Sequence, residues 1–271
     1  MHVEAAVQEP DRPADSTGAG HRLRLLSFNV QVGVSTRRYR EYFTQSWKHV
    51  LPHSKRFRNL DRIASLVSEY DLVGLQEVDA GSLRSGFVNL TEYMAEKAGF
   101  PFWYDQTNRR LGRLARHAIG VLSRYRCTEI SEHRLPGRVP GRGALFLRFG
   151  PKEHSLVVLI LHLALGQRTR MNQIAYVAEL INDYRNVVLM GDLNCRSESR
   201  EMDFLINRTL MAEPAHGLHT FPSWRPNRNI DHILVTPTLK VDRVEVLDYP
   251  VSDHLPLSME LILPPDVQLT A

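Results

Sequence analysis

The feature that most constrains this chain is a succession of strand-length apolar runs, many ending in a residue able to do chemistry. Ten stretches rich in Val, Ile, Leu and Phe read as strands, at 22–28, 71–76, 102–104, 118–123, 144–149, 156–161, 186–190, 232–235, 241–247 and 255–263. That is too many for a small sandwich. Three intervening segments place apolar residues at helical spacing: Leu60, Ile63, Ala64 and Val67; Val88, Leu90, Tyr93 and Met94; Met171, Ile174, Ala175, Ala178 and Ile181. Strands alternate with helices in the first half and pair like hairpins in the second. This predicts an α/β sandwich of mixed sheets with helices outside, and not a pure doubly wound fold. No repeat period and no long linker divides the chain, so a single domain over 21–271 is expected.

Composition removes whole classes. The 271 residues are 43% hydrophobic and 24% charged, ordinary for a folded chain and unlike disordered or coiled-coil sequences. The two cysteines, Cys127 and Cys195, are too few for a disulfide framework or a thiolate zinc site, which suggests a reducing compartment. The longest apolar run, Leu156 to Leu161, falls well short of the ~20 residues a membrane span needs. Residues 1–20 carry Pro10, Pro13, Gly18 and Gly20 without a signal-peptide pattern and read as a mobile tail outside a cytoplasmic, monomeric enzyme. A formal charge of +4 permits anionic partners without demanding them. Phe28 is not followed by G-x-G-x-x-G, which argues against a dinucleotide fold.

The polar residues at the run ends carry the functional reading. Asn29 ends the first run, Glu77 follows Gln76 at the end of the second, and His162 ends 156–161. Asp192 and Asn194 follow 186–190, Asp231 opens 232–235, and Ser252-Asp253-His254 precedes 255–263. Residues leaving one strand and entering its antiparallel neighbour share a sheet edge, so these acids, amides and imidazoles can converge on one mouth. Several carboxylates with few thiolates favour a hard cation, Mg²⁺ or Mn²⁺.

Seven stretches resemble the endonuclease/exonuclease/phosphatase superfamily, which includes deoxyribonuclease I, exonuclease III, neutral sphingomyelinases and inositol polyphosphate phosphatases. They are Ser27-Phe28-Asn29, Leu75-Gln76-Glu77-Val78, Gly120-Val121-Leu122-Ser123-Arg124, Leu161-His162-Leu163, Gly191-Asp192-Leu193-Asn194, Ile230-Asp231-His232-Ile233-Leu234 and Ser252-Asp253-His254-Leu255-Pro256-Leu257. They stand in the family's chain order and span nearly all of residues 22–264. The match is nearest to the broad bacterial group of metal-dependent hydrolases, whose substrates the motifs do not specify. The resemblance implies a four-layer α/β sandwich, two mixed and mostly antiparallel sheets flanked by helices, and Mg²⁺-dependent hydrolysis of a phosphoester, with a phosphodiester favoured.

The resemblance also implies roles. Glu77 is the leading metal ligand, with Asn29 beside it and Asp253 as a further or water-bridged ligand. Asp231 beside His254 would hold that imidazole in one tautomer and raise its pKa, suiting either a phosphate-binding imidazolium or a base. Asp192 is placed to orient or deprotonate water, Asn194 to bond the phosphoryl oxygen, and His162 to stand near the scissile phosphate. Strand alternation points His232 away from Asp231, which gives it a structural role. Cys195 reads as a small packed thiol, and His117, in the turn before 118–123, stands close to where some family members place substrate-facing residues, its role left open.

Substrate identity stays open on the sequence. An insertion at about 35–58 interleaves Arg37, Arg38, Arg40, Lys48, Lys55, Arg56 and Arg58 with Tyr39, Tyr42, Phe43, Trp47 and Phe57, and a second basic run holds Arg109, Arg110, Arg113 and Arg116. Basic residues among aromatics suit a nucleic acid or a lipid headgroup, and equally a solvated face. Arg37, Arg38, Trp47, Arg116 and Trp224, the last in a segment just upstream of Asp231, are candidate substrate contacts. A nuclease, a phospholipid or sphingomyelin-type phosphodiesterase and a non-catalytic binding module are the alternatives. A calcineurin-type binuclear site would need a D-x-H near the first strand and a G-N-H-D run, and neither occurs.

Overall fold

The computed structural model describes residues 21–31, 53–111, 115–137 and 142–271. In chain order its strands are β1 (Arg22–Asn29), β2 (Leu72–Asp79), β3 (Phe102–Leu111), β4 (Ala115–Ser123), β5 (Glu129–Arg134), β6 (Gly143–Phe149), β7 (Leu156–His162), β8 (Asn186–Asp192), β9 (Asp231–Val235), β10 (Lys240–Val246) and β11 (Leu257–Ile262). The helices are α1 (His53–Val67), α2 (Leu90–Ala98), α3 (Gln167–Ile181) and α4 (Arg200–Arg208). One sheet has six strands in the order β10-β11-β1-β2-β4-β3, the other five in the order β5-β6-β7-β8-β9.

Each sheet contains one parallel pair, β1 with β2 and β7 with β8, and all other pairings are antiparallel. A parallel pair needs a crossover, and α1 and α3 supply the two. Period-two alternation then divides the side chains among three cores. Leu25, Val158, Ile160, Val188 and Met190 pack between the sheets. Leu26, Phe28, Val73 and Leu75 pack outward on Leu60, Ile63, Val67, Leu90 and Met94 of α1 and α2. Val157, Leu159, Val187 and Leu189 pack on Ile174, Val177, Met202 and Leu205 of α3 and α4. The order of layers is helix, sheet, sheet, helix, the expected four-layer α/β sandwich. The sheets approach closely where Gly74 faces Met190 and Ile160, since a Cβ there would stand 3.0 Å from the Met190 Cε.

All ten apolar runs lie within or overlap strands, and all three helical spacings are helices. Two elements were not foreseen. β5, of sequence EISEHR, is a largely exposed edge strand with no apolar face to announce it. Helix α4, REMDFLINR, buries Met202 and Leu205 under a polar surface and is capped by Ser199, whose side chain accepts the Met202 N–H. The third strand runs on from Tyr104 to Leu111 through polar residues, and His117 lies in β4, not in a turn. Helix α1 begins at His53, taking in Lys55, Arg56 and Arg58. The tail at 1–20, most of the insertion, Arg37, Arg38, Trp47 and Arg113 lie outside the described residues. Among the described residues no helix is long and apolar enough to cross a membrane.

Candidate active site

The site lies at the carboxyl ends of the two parallel pairs. β2 bulges on its approach: Leu75 pairs with Gly120 of β4 but Val78 with Ala118, so Gln76 and Glu77 together occupy one step of the ladder. Glu77 has φ 57, a backbone region that glycine favours. Strain of this kind costs on the order of 1 kcal/mol and concentrates at functional positions. Asn194 has φ 52, which Asn tolerates better than most residues. Gly191, ahead of Asp192, has φ 144, and a Cβ would collide with the Leu161 carbonyl, so no side chain fits where β8 passes β7.

Contacts across the seam bring the two sheets' residues together. Asn29 Nδ2 of β1 donates to Asp192 Oδ2 of β8 at 3.1 Å, and His162 Nε2 of β7 lies 3.8 Å from Glu77 Oε1 of β2. His162 Nε2 is 3.5 Å from Asp192 Oδ2, and His254 Nε2 is 4.0 Å from the same oxygen. His254 Nδ1 meets Asp231 Oδ2 at 2.7 Å, while the Thr220 hydroxyl donates to that carboxylate oxygen as well. The Phe221 ring packs against the His254 imidazole with centroids 4.8 Å apart. Ser252 Oγ donates to the Asn29 carbonyl at 2.7 Å, tying the Asp253 loop to the end of β1. Asn194 donates its backbone N–H to Asp192 Oδ1 at 2.9 Å and one side-chain amide N–H to the Leu163 carbonyl at 3.0 Å.

Burial and charge set the protonation states. Burial penalises the Asp192 carboxylate, and repulsion from Asp231 and Glu77 adds to it, so its pKa is pushed up to about 7. Asp253 is raised for the same reasons, burial first and then Glu77. Burial opposes charging His254, but Asp231 beside it, with Asp192 and Asp253, carries its pKa up to about 10. His162 is held well below the usual imidazole value by burial and by the Arg142 guanidinium, whose Nη1 lies 2.8 and 2.9 Å from its ring nitrogens.

Glu77, Asp192, Asp231 and Asp253 thus crowd one edge with excess negative charge. Asp192, Asp231 and His254 offer three ligand atoms within 4.8 Å of one another. The 2.7 Å contact of Asp231 with His254 is a charge-assisted hydrogen bond, however, and a protonated imidazole has no lone pair to offer a metal. The remaining donors, the carboxylates of Glu77 and Asp253, which repel one another, and the amide oxygen of Asn29, are hard oxygens. That donor set fits a divalent cation.

Asn29, Glu77, His162, Asp192, Asn194, Asp231, Asp253 and His254 all come to one edge. Arg116 is half-buried on β4 with its Nε unpartnered, and Trp224 is half-buried beside Ser223, which donates to the Ser252 carbonyl. The sequence reasoning missed Arg142 and Thr220. Arg142 was hidden because only the pairing of Gly143 with His162 brings it to the site. Thr220 lies in an irregular segment with no periodicity to place it.

Two mixed sheets between helices, with carboxylates and imidazoles at the strand ends, are the frame of the deoxyribonuclease I-like hydrolases. The model of the Endonuclease/Exonuclease/phosphatase family matches residues 26–254, and the chain belongs to that family of phosphoester hydrolases. Among solved structures it is similar to an endonuclease/exonuclease/phosphatase from Beutenbergia cavernae, with 21% identity over 89% of this chain and 72% of that one and a TM-score of 0.68. The mannosyl-6-phosphatase Bt3783 of Bacteroides thetaiotaomicron gives 18% identity over 89% and 100%, at 0.65. The human Nocturnin catalytic domain with bound sulfate anion gives 14% over 92% and 95%, also at 0.65. No curated protein sequence matches the chain.

Proposed function

We propose that this chain is a Mg²⁺-dependent phosphoesterase, with Mn²⁺ an effective substitute, that cleaves a phosphodiester by in-line attack of water. One observation carries the reading: an imidazole fixed by Asp231 at 2.7 Å faces Asp192 at 4.0 Å, beside a strained Glu77. Glu77, Asn29 and Asp253 would hold the cation, which supplies charge neutralisation at the phosphoryl oxygens. Asp192, with its pKa near neutrality, takes the proton of the attacking water as the new P–O bond forms and the ester P–O bond breaks. His254 stays protonated at neutral pH and meets a phosphoryl oxygen as a cation. Asn194 donates its second amide N–H to the same group, and neutral His162 lies alongside.

The test is a substrate panel of single- and double-stranded DNA, RNA, sphingomyelin, phosphoinositides, a sugar phosphate and bis(p-nitrophenyl) phosphate. Turnover of a diester should stop in EDTA and return with Mg²⁺ or Mn²⁺. Turnover indifferent to EDTA, or none on any phosphoester, would overturn the proposal, and turnover of the monoester alone would make the enzyme a phosphatase.

A further inference from the structure

Strand β9 presents neighbouring residues to opposite sides. Asp231 meets His254 in the site, while His232 turns away and is buried. The His232 Nδ1 lies 2.7 Å from Glu213 Oε1, and its Nε2 lies 2.8 Å from the Cys195 carbonyl oxygen. A carboxylate and a carbonyl only accept, so both ring nitrogens must carry hydrogen and the ring is an imidazolium. Burial opposes that charge, but the hydrogen bond and charge of Glu213 raise the His232 pKa overall, and Glu213 is held low in spite of its own burial. Ser197 Oγ donates to the same Glu213 oxygen at 2.9 Å, and the Asn229 amide donates to Ser197.

What this pair grips is the turn that carries the chemistry. Cys195 follows Asn194, and the turn from Asp192 is already anchored on its near side. Leu163 donates its backbone N–H to the Asp192 carbonyl at 2.9 Å, and Leu193 donates to Ile230 at 2.9 Å. Past the left-handed Asn194, the His232 N–H holds the first carbonyl.

We propose that His232 is a positioning residue: as a cation paired with Glu213 it fixes the Cys195 carbonyl and so keeps the Asp192 carboxylate and the Asn194 amide aimed into the site. The proposal rests on the roles given above to Asp192 and Asn194. A neutral imidazole has one N–H and can serve only one of the two acceptors. Removing the charge of Glu213 leaves a neutral ring whose one N–H can stay on the Cys195 carbonyl without the charge that strengthens it, so the turn should loosen less than when the imidazole is removed.

The test compares His232→Gln, His232→Leu and Glu213→Gln with wild type, by kinetics on bis(p-nitrophenyl) phosphate and by amide hydrogen exchange. His232→Leu should lower kcat by about 10- to 100-fold, the scale of a misplaced catalytic group, and Glu213→Gln by about 3- to 10-fold, the scale of a lost charge on one hydrogen bond, each with KM within about twofold. His232→Gln, which keeps one N–H for the Cys195 carbonyl, should recover part of the loss. Amides of Leu193, Asn194 and Cys195 should exchange at least about tenfold faster while Val188 to Met190 in β8 keep their protection. Wild-type kcat or wild-type exchange at 193–195 in folded Glu213→Gln would overturn the proposal, as would protection lost evenly along β8. If His232→Leu does not fold, Glu213→Gln decides. If the wild type cleaves nothing on the panel, the proposed function fails, and the exchange arm still decides whether the clamp exists.

Discussion

The two strand–helix–strand units, β1–α1–β2 and β7–α3–β8, have the same plan and deliver their residues differently. Each opens its site at the carboxyl ends of its parallel strands: Asn29 beside Gln76 and Glu77 in the first, His162 directly opposite Asp192 in the second. The first unit reaches the site through a bulge and a strained, partly open Glu77, whose side chain is 31% exposed. The second keeps a regular ladder and buries its groups, with the Asp192 side chain only 3% exposed. Burial is the largest cause of the shifts in the Asp192 and His162 pKa values, so the second unit holds groups displaced from their ordinary protonation range. The first offers oxygen donors that need reach more than burial. A sheet can supply reach by bending and tuned acidity by staying regular, and this molecule does one on each side of a seam.

Removing the imidazolium that faces both units should have the largest effect. His254→Ala is expected to lower kcat by about 10³-fold, the loss of a charged donor to the phosphoryl group, and Asp231→Asn to act through the same group. The double variant should therefore lose little more than the worse single, whereas full additivity in folded proteins would separate the two residues. On the oxygen-donor side, Glu77→Gln should cost about 10²- to 10³-fold in kcat. Calorimetric Mg²⁺ or Mn²⁺ binding should weaken in step; normal metal binding with more than about a tenth of the wild-type rate would remove Glu77 from its role.

A pH experiment sharpens the contrast. His254 has a folded pKa of about 10, above an unfolded value near ~6.5. Its contribution to stability is present below the unfolded value and is lost as pH climbs toward the folded one. Urea titrations in chelator should show stability declining over that alkaline window in the wild type and a flatter profile in His254→Ala. The smallest effect should be a gain. Glu77→Gly relieves the left-handed strain and removes a carboxylate that repels Asp192 and Asp253, so the chelated protein should gain about 1 kcal/mol while losing activity. A lower melting temperature in that variant would show that the bulge is not strained.

How much of this the sequence discloses depends on whether a residue's role is local or relational. Apolar runs reveal buried strands, so β7 and β8 are plain from their composition, whereas the exposed edge β5 and the polar α4 offer no such pattern. Residues at strand ends, Asn29, His162 and Asp192 among them, are legible because a strand end is a local event, whereas Glu77 follows an apolar run but lies inside β2, at its bulge. The site's remaining logic is relational. Arg142 reaches His162 only through hairpin register, Thr220 reaches Asp231 only through an irregular loop, and the left-handed backbone of Glu77 follows from a bulge that no side-chain type signals. His232 reads correctly as facing away from Asp231, but strand alternation says nothing of Glu213 or of the carbonyl it holds.

The pairing of the first strand with the last governs when the site can come into being. β1 lies between β2 and β11, with Arg22 opposite Ile262, and Ser252 holds the Asn29 carbonyl from the far end of the chain. During synthesis, at roughly 5–20 residues per second, His254 and the strand that borders β1 emerge well after Asn29 and Glu77, His254 standing 177 residues beyond Glu77. A ribosome-bound fragment lacking β11 leaves one edge of β1 unpaired and lacks the imidazole that Asp231 awaits. The imidazole therefore joins Asp231 beside Asn29 only in a chain long enough for β11 to close on β1.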